Sequence, residues 1–204
     1  MKVMKVGVLV SGTGTNLQAL LDAERNGTLA PAEIACVISN RPVAGALARA
    51  ATAGKPALTI DHKAFAGREP FEDALLGALA EHGVDGVVLA GFMRVLTAHF
   101  LAHFADRIIN IHPSLLPAFP GVDAQRQALE HGSKVTGATV HFVDAGLDAG
   151  AIILQAAVAV ADDDTVDSLR ARILEREHDI LPRAVSLLAA GRLVRDGRRV
   201  RVRP

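Results

Sequence analysis

The chain has almost no cysteine, no excess charge of either sign and no long apolar run, and each absence removes a class of function. Cys36 is the single cysteine among 204 residues, which excludes an intrachain disulfide or a zinc–thiolate cluster. Its setting, "EIACVI", reads as a buried structural thiol. The 22 Lys and Arg residues equal the 22 Asp and Glu residues, so there is no general attraction to nucleic acid or to an acidic membrane. No apolar run approaches the ~18 residues that a membrane-crossing helix needs. The opening "MKVMKVGVLV" runs into "SGTGTNL" without a cleavage-site pattern, and reads as a first strand rather than a secretory signal. Trp and Tyr are absent. The arginine-rich tail "GRLVRDGRRVRVRP" lacks aromatic partners and reads as a solvated sheet edge rather than an RNA surface. A soluble cytoplasmic protein with no nucleic-acid or membrane partner is expected.

Half of the residues are hydrophobic, enough to fill the core of one large domain. Short β-branched runs alternate with Ala- and Leu-rich segments. "VGVLV" (6–10), "IACVIS" (34–39), a short run near 57–60, "DGVVLAG" (85–91) and "DRIINI" (106–111) read as strands. Helices are expected near 16–26, at 44–54, over "EPFEDALLGALAEHG" and between the last two of these strands. Continuous apolar strands spaced by helices predict an α/β fold with a parallel sheet covered on both faces. Ligands then bind beyond the strands' carboxyl ends, so the loops at 11–16, 39–42, 91–94 and 111–121 should line one mouth. After a helix near 123–131, "GATVHFV" and "AIILQAAVAV" are strands joined by the short "DAGLDAG", which favours an antiparallel pair. "DDDTVDSL" opens a long helix with Asp164 as the expected N-cap, and Pro182 is expected to kink or divide that helix. Asp196-Gly197 signals a terminal hairpin.

"SGTGTNL" (11–17) follows a strand and opens a helix. Gly12 and Gly14 let backbone amides approach an anion there, a phosphate cradle. A dinucleotide fold would need glycine at Leu17 and an acid where the second strand ends in Ser39-Asn40. In "HFLAH", His99 and His103 share one helix face. Phe100 stands where a zinc-protease helix carries Glu, so no metal site is expected. Ser114 lacks a nucleophile elbow and reads as a hydroxyl that stabilises its loop. In "NIHPSLLPAFPG" (110–121), prolines 113, 117 and 120 stiffen an irregular loop. Asn110 and His112, two apart in an extended chain, project to the same side. An amide and an imidazole side by side suit a carbonyl oxygen as it becomes an oxyanion. Acyl transfer by direct attack of a substrate amine, through a tetrahedral intermediate, is the chemistry they fit best. A carboxylate beside the imidazole would favour its charged form and take up the amine's proton; Asp144 and Asp148 are both candidates.

The segments "VLVSGTGTNLQALLDA", "VISNRPVAGALARA", "VVLAGFMRVL", "NIHPSLLPAFPG", "GATVHFVDAGLDAGAIILQ" and "REHDILP" resemble the glycinamide ribonucleotide formyltransferase family, in family order over almost the full length. The resemblance implies the formyltransferase fold: a doubly wound, mostly parallel Rossmann-like sheet with an antiparallel C-terminal extension. It implies a single domain over 1–204, with a nucleotide- and phosphate-binding half at 1–110 and a folate-site and C-terminal half at 111–204. The implied reaction moves a formyl group from the co-substrate 10-formyltetrahydrofolate, without a metal, to the amine of glycinamide ribonucleotide in de novo purine biosynthesis. By the family's motifs Asn110, His112 and Asp148 are catalytic. Asp148 is selected over Asp144 because it follows Leu147 and stands two before Gly150. Gly14, Thr15 and Asn16 match the ribonucleotide phosphate site, and Glu177 matches the acid at the ribose. Met93, Arg94, Val95 and Leu96, with Asn110, match the folate site. Arg68 matches an arginine near the folate's glutamyl carboxylates. A homodimer is compatible with the resemblance.

Three departures bear on binding. Leu174 stands where a polar side chain often reaches the phosphate, which leaves that anion to the glycine loop or to a nearby arginine. Asp123 and Gln125 replace histidines, and Ala118 a basic residue, seen in some members. Among related functions, methionyl-tRNA formyltransferase adds a basic C-terminal domain, for which the roughly dozen residues after the last long helix are too few. A formyltetrahydrofolate hydrolase would add an N-terminal regulatory domain. A non-catalytic nucleotide-binding module would keep "SGTGTNL" without needing Asn110, His112 and Asp148 together.

Overall fold

Residues 2–203 are described by the computed structural model. Strand β1 (Met4–Val10) shows why a parallel sheet forms: Val6, Val8 and Val10 are buried in one helical layer and Leu9 in the other. A strand apolar on both faces needs cover on both. β2 (Ala32–Ser39), β4 (Gly86–Leu89) and β5 (Ile108–His112) follow the same rule, with the short β3 (Ala57–Thr59) at one edge. The five run parallel in the order β3-β2-β1-β4-β5. β6 (Val135–Phe142) joins β5 antiparallel, and β7 (Ile152–Ala159) joins β6 antiparallel, completing seven strands. Helices α1 (Thr15–Arg25), α2 (Gly45–Thr52), α5 (Ala124–Glu130) and α6 (Val166–Ala189) pack on one face, while α3 (Arg68–Glu81) and α4 (Ala98–His103) cover the other. The doubly wound, mostly parallel sheet with an antiparallel extension is the fold expected. β8 (Leu193–Asp196) and β9 (Arg199–Val202) form the terminal hairpin around Gly197, whose φ is 58°. Among the described residues no helix is long and apolar enough to cross a membrane. Cys36 is buried in the sheet, and burial pushes its thiol up to about 11.

Helix α6 departs from expectation at two points. Its N-cap is Thr165, not Asp164: the Thr165 hydroxyl accepts the Ser168 N–H at 3.1 Å, and the Ser168 hydroxyl takes the Thr165 N–H at 3.0 Å. Asp164, one residue too early for that role, is turned to Arg172 and the Ser168 hydroxyl, which hold its carboxyl well below the usual range. Pro182 neither ends nor divides the helix, which runs unbroken for 24 residues. A proline in a helix interior costs about 3 kcal/mol. Leu169, Ile173, Leu181 and Val185 are fully buried along the same helix, and each contributes about 1.5–3 kcal/mol, so packing wins.

Hydrogen bonds tie the strand-end loops into one rim. The Ser11 hydroxyl donates to Asn40 Oδ1 (2.6 Å) and accepts the Met93 N–H (2.8 Å), joining the loops after β1, β2 and β4. The Ser11 N–H donates to the Gly91 carbonyl (3.1 Å). The loop after β6 arrives differently. Phe142 pairs with Ile109, so residues 143–151 begin beside the first half of β5 and fold back toward its last residue, His112. Gly150 makes that return possible: a Cβ there would lie 1.7 Å from the Phe142 carbonyl oxygen. Gly150→Ala must therefore displace backbone. It should lower unfolding free energy by about 1–3 kcal/mol or more, read from the midpoint of a denaturant titration.

Candidate active site

Asn110 and His112 lie on one side of β5, as period-two geometry requires, and His112 is almost wholly buried. The His112 ring is held from both ends. Nε2 meets the Phe119 carbonyl at 2.8 Å, and Nδ1 lies 3.3 Å from Asp148 Oδ2. Both neighbours are acceptors, so the imidazolium, with a proton on each nitrogen, satisfies both. Asp148 Oδ2 also accepts the Gly121 N–H at 2.7 Å, which links the 113–121 and 143–151 loops. Asp144, the other candidate acid, accepts the Gly146 N–H within its own turn. It borders the cavity without reaching His112.

His141 completes the cluster, and sequence reasoning missed it because its partner, Asn110, lies 31 positions away. It stands directly opposite Asn110 in the β5–β6 ladder. Its Nδ1 faces the Phe142 carbonyl (2.8 Å) and therefore carries a proton, which leaves Nε2 to accept from Asn110 Nδ2 at 3.1 Å. Burial pushes His141 down, outweighing the opposing Phe142 carbonyl, and favours this neutral form. Asp148 Oδ1 lies 3.7 Å from the same Nε2. Asn110, His112, His141 and Asp148 thus form one connected polar floor. Phe119, Asp123 and Asp148 are three of the four non-glycine residues with left-handed φ among those described, and all belong to the loops of this site.

The floor opens into a cavity of about 540 Å³ lined also by Phe92, Met93, Arg94, Val95, Leu96 and Leu147. Its volume suits a drug-sized or cofactor-sized ligand. Met93, Val95, Val122 and Leu147 leave large apolar surfaces exposed at its walls. Arg68 is not among the lining residues. It opens α3 one turn before Phe71, and the Arg94 guanidinium lies 5.8 Å from the centre of the Phe71 ring. Ser114 has the role expected of it: its hydroxyl donates to the Ala118 carbonyl at 2.5 Å inside the proline loop. His99 pairs with Asp73 on the exposed surface of α4, and His103 is exposed beside it.

The other predicted residues form a second cluster. Gly14, with φ 78°, is the N-cap of α1, and no side chain caps that helix. A Cβ at Gly14 would lie 2.6 Å from the Ala46 Cβ, so only glycine lets α2 pack here. Asn16 Nδ2 donates to Glu177 Oε2 at 2.8 Å across 161 residues of sequence. Asn16 Oδ1 is buried without a partner among the described residues. Leu174 lies one turn from Glu177 on α6 and offers no polar group.

Fold and floor together define the class: an α/β protein with an amide, an imidazole and an acid joined beside a cofactor-sized cavity. Residues 4–185 match the formyl transferase family, and the chain belongs to it. It is similar to the solved glycinamide ribonucleotide transformylase 1 of Symbiobacterium toebii, at 56% identity and a TM-score of 0.97 over all of this chain and 95% of that one. Against the phosphoribosylglycinamide formyltransferase of Coxiella burnetii the values are 41% and 0.92, covering 98% and 93%. The phosphoribosylglycinamide formyltransferase of Escherichia coli is 44% identical over 190 residues, 93% of this chain and 89% of that protein. The trifunctional purine biosynthetic protein adenosine-3 of Drosophila melanogaster is 52% identical over 188 residues, but the chain spans only 14% of its length.

Glu177 supplies a pH test of the second cluster. Burial raises its carboxyl to about 7, opposed in part by Asn16. The folded protein therefore holds a proton there that the unfolded chain releases near 4.5, so stability falls as pH rises from about 4.5 through about 7. Glu177→Gln keeps an acceptor for Asn16 and removes the titration. Its Tm should exceed the wild-type value at about pH 8.5, and the gap should close at about pH 5. A gap independent of pH in differential scanning calorimetry would count against the assignment.

Proposed function

We propose that the chain transfers the formyl group of 10-formyltetrahydrofolate to the amine of glycinamide ribonucleotide, a step of purine biosynthesis. The observation that carries this reading is the joined floor of Asn110, His112, His141 and Asp148 under an apolar-walled cavity, in a member of the formyl transferase family. The flat ring system of the folate enters between the 92–96 segment and the 143–148 loop, covering the exposed faces of Met93, Val95 and Leu147. Arg94, and Arg68 at the start of α3, supply positive charge for the glutamyl carboxylates. The ribonucleotide phosphate takes the free backbone amides of Gly14, Thr15 and Asn16 at the start of α1. Glu177 and the unpaired Asn16 Oδ1 face its ribose hydroxyls.

The amine attacks the formyl carbon directly. Asn110 gives one amide N–H to His141 and keeps the second for the formyl oxygen, and the His112 imidazolium lies beside it. Such donors act on the charge that develops in the transition state, each worth roughly 10²–10³ in rate. As the new C–N bond forms, the amine becomes acidic and Asp148 accepts its proton. The C–N10 bond then breaks, and the proton passes to the departing folate nitrogen. Asp148 is suited to this because it is partly buried, oriented by the Gly121 N–H and next to the imidazole.

The test follows donor consumption by absorbance with and without glycinamide ribonucleotide; no acceptor-dependent consumption would sink the reading. Asp148→Asn should lower turnover by roughly 10²–10⁴-fold. Its folding should survive, because Asn tolerates the left-handed backbone at φ 48°. Asp144→Asn should be nearly silent in the same assay, and a damaging Asp144→Asn with a silent Asp148→Asn would reverse the assignment of the acid.

A further inference from the structure

Arg49 lies on the second turn of α2, half-buried, against the glycine loop of β1–α1. Its Nε donates to the Thr13 carbonyl at 2.9 Å and its Nη1 to Gln18 Oε1 at 3.1 Å. Gln18 is itself oriented, because its Nε2 donates to Asp22 Oδ1 at 3.1 Å and so turns the amide oxygen to Arg49. α2 is locked to the loop by the Ala46 N–H on the Gly12 carbonyl (3.2 Å) and by the Ala46–Gly14 contact. Among the described residues no carboxylate lies within ion-pair distance of Arg49. A cation held by two uncharged acceptors keeps its charge unneutralised. Arg41, in the loop after β2, makes no side-chain hydrogen bond among the described residues.

The orientation of one peptide unit gives these contacts a consequence. In a trans peptide the C=O and N–H point in opposite directions. Drawing the Thr13 carbonyl to Arg49 therefore turns the Gly14 N–H the other way and keeps an oxygen lone pair out of the cradle. The neighbouring Thr15 and Asn16 amides follow at the uncapped start of α1. Leu174 offers no polar help from α6. We propose that Arg49 is the positioning residue of the phosphate cradle: it fixes the Thr13–Gly14 peptide so that its N–H faces a phosphate monoester, and adds an unpaired positive charge behind it. This rests on the ribonucleotide reading above.

Steady-state kinetics of the full chain test it with Arg49→Met and Arg49→Lys. Arg49→Met should raise the KM for glycinamide ribonucleotide about ten-fold or more, with kcat and the KM for the formyl donor within about two-fold of wild type. Inhibition by inorganic phosphate, competitive with the ribonucleotide, should weaken by the same factor. Arg49→Lys keeps a donor for the Thr13 carbonyl and should recover part of the loss in both readouts. An unchanged ribonucleotide KM in Arg49→Met overturns the proposal. So does equal damage to both substrates, or an Arg49→Lys no better than Arg49→Met, since each marks a merely structural side chain. Wild-type protein without acceptor-dependent formyl transfer overturns the functional reading instead, whereas an active wild type with an indifferent Arg49→Met overturns this inference alone.

Discussion

Strand β5 has a parallel neighbour on one side and an antiparallel neighbour on the other, and the candidate active site depends on that change of direction. From the parallel side come the β4 loop and the 91–96 segment of the cavity wall. From the antiparallel side, β6 places His141 across from Asn110 and Thr139 across from His112. The Thr139 hydroxyl donates to the Ser114 carbonyl (2.6 Å) and accepts the Leu116 N–H (3.1 Å), with Gln155 Nε2 at 2.9 Å. One strand therefore orients the Asn110 amide and pins the proline loop. A parallel strand in its place would reach this point with a different ladder pattern and would need a long crossover to return.

Burial makes these contacts mutually dependent. His112 and His141 are nearly inaccessible, and a buried polar group left without its partner costs about 1–3 kcal/mol. Each nitrogen of the two rings is matched: Phe119 and Phe142 carbonyls at one end of each, Asp148 and the Asn110 amide at the other. Asp148 and Glu177 sit in contrasting surroundings. Asp148 has a backbone N–H and two imidazoles around it, whereas Glu177 has only the Asn16 amide and is raised to about 7 by burial.

Much of this was legible from residue patterns. Apolar runs such as "VGVLV" announced strands covered on both faces, and Asn110-x-His112 announced two side chains on one side of an extended segment. The choice between Asp144 and Asp148 was not readable from spacing. Both sit on the same short loop, and family resemblance singled out Asp148, which the structure brings to 3.3 Å from His112. His141 was passed over because its partner stands 31 positions earlier, and only the register of β6 on β5 brings them together. The errors in α6 were local rules overridden by neighbours. Arg172 claimed the expected cap, Asp164, and core packing on either side carried the helix through Pro182.

Short-range stereochemistry, then, was set by the sequence alone. The two-residue period of strands put Asn110 beside His112, glycine at position 14 allowed a left-handed turn against α2, and the prolines kept 113–120 out of regular structure. Which distant groups meet was decided only by the tertiary structure. His141 on Asn110, Asp148 on His112, Glu177 on Asn16 and Arg49 on Thr13 depend on strand direction, ladder register and helix packing. These properties belong to the whole chain, because no local segment can specify what it will be buried against.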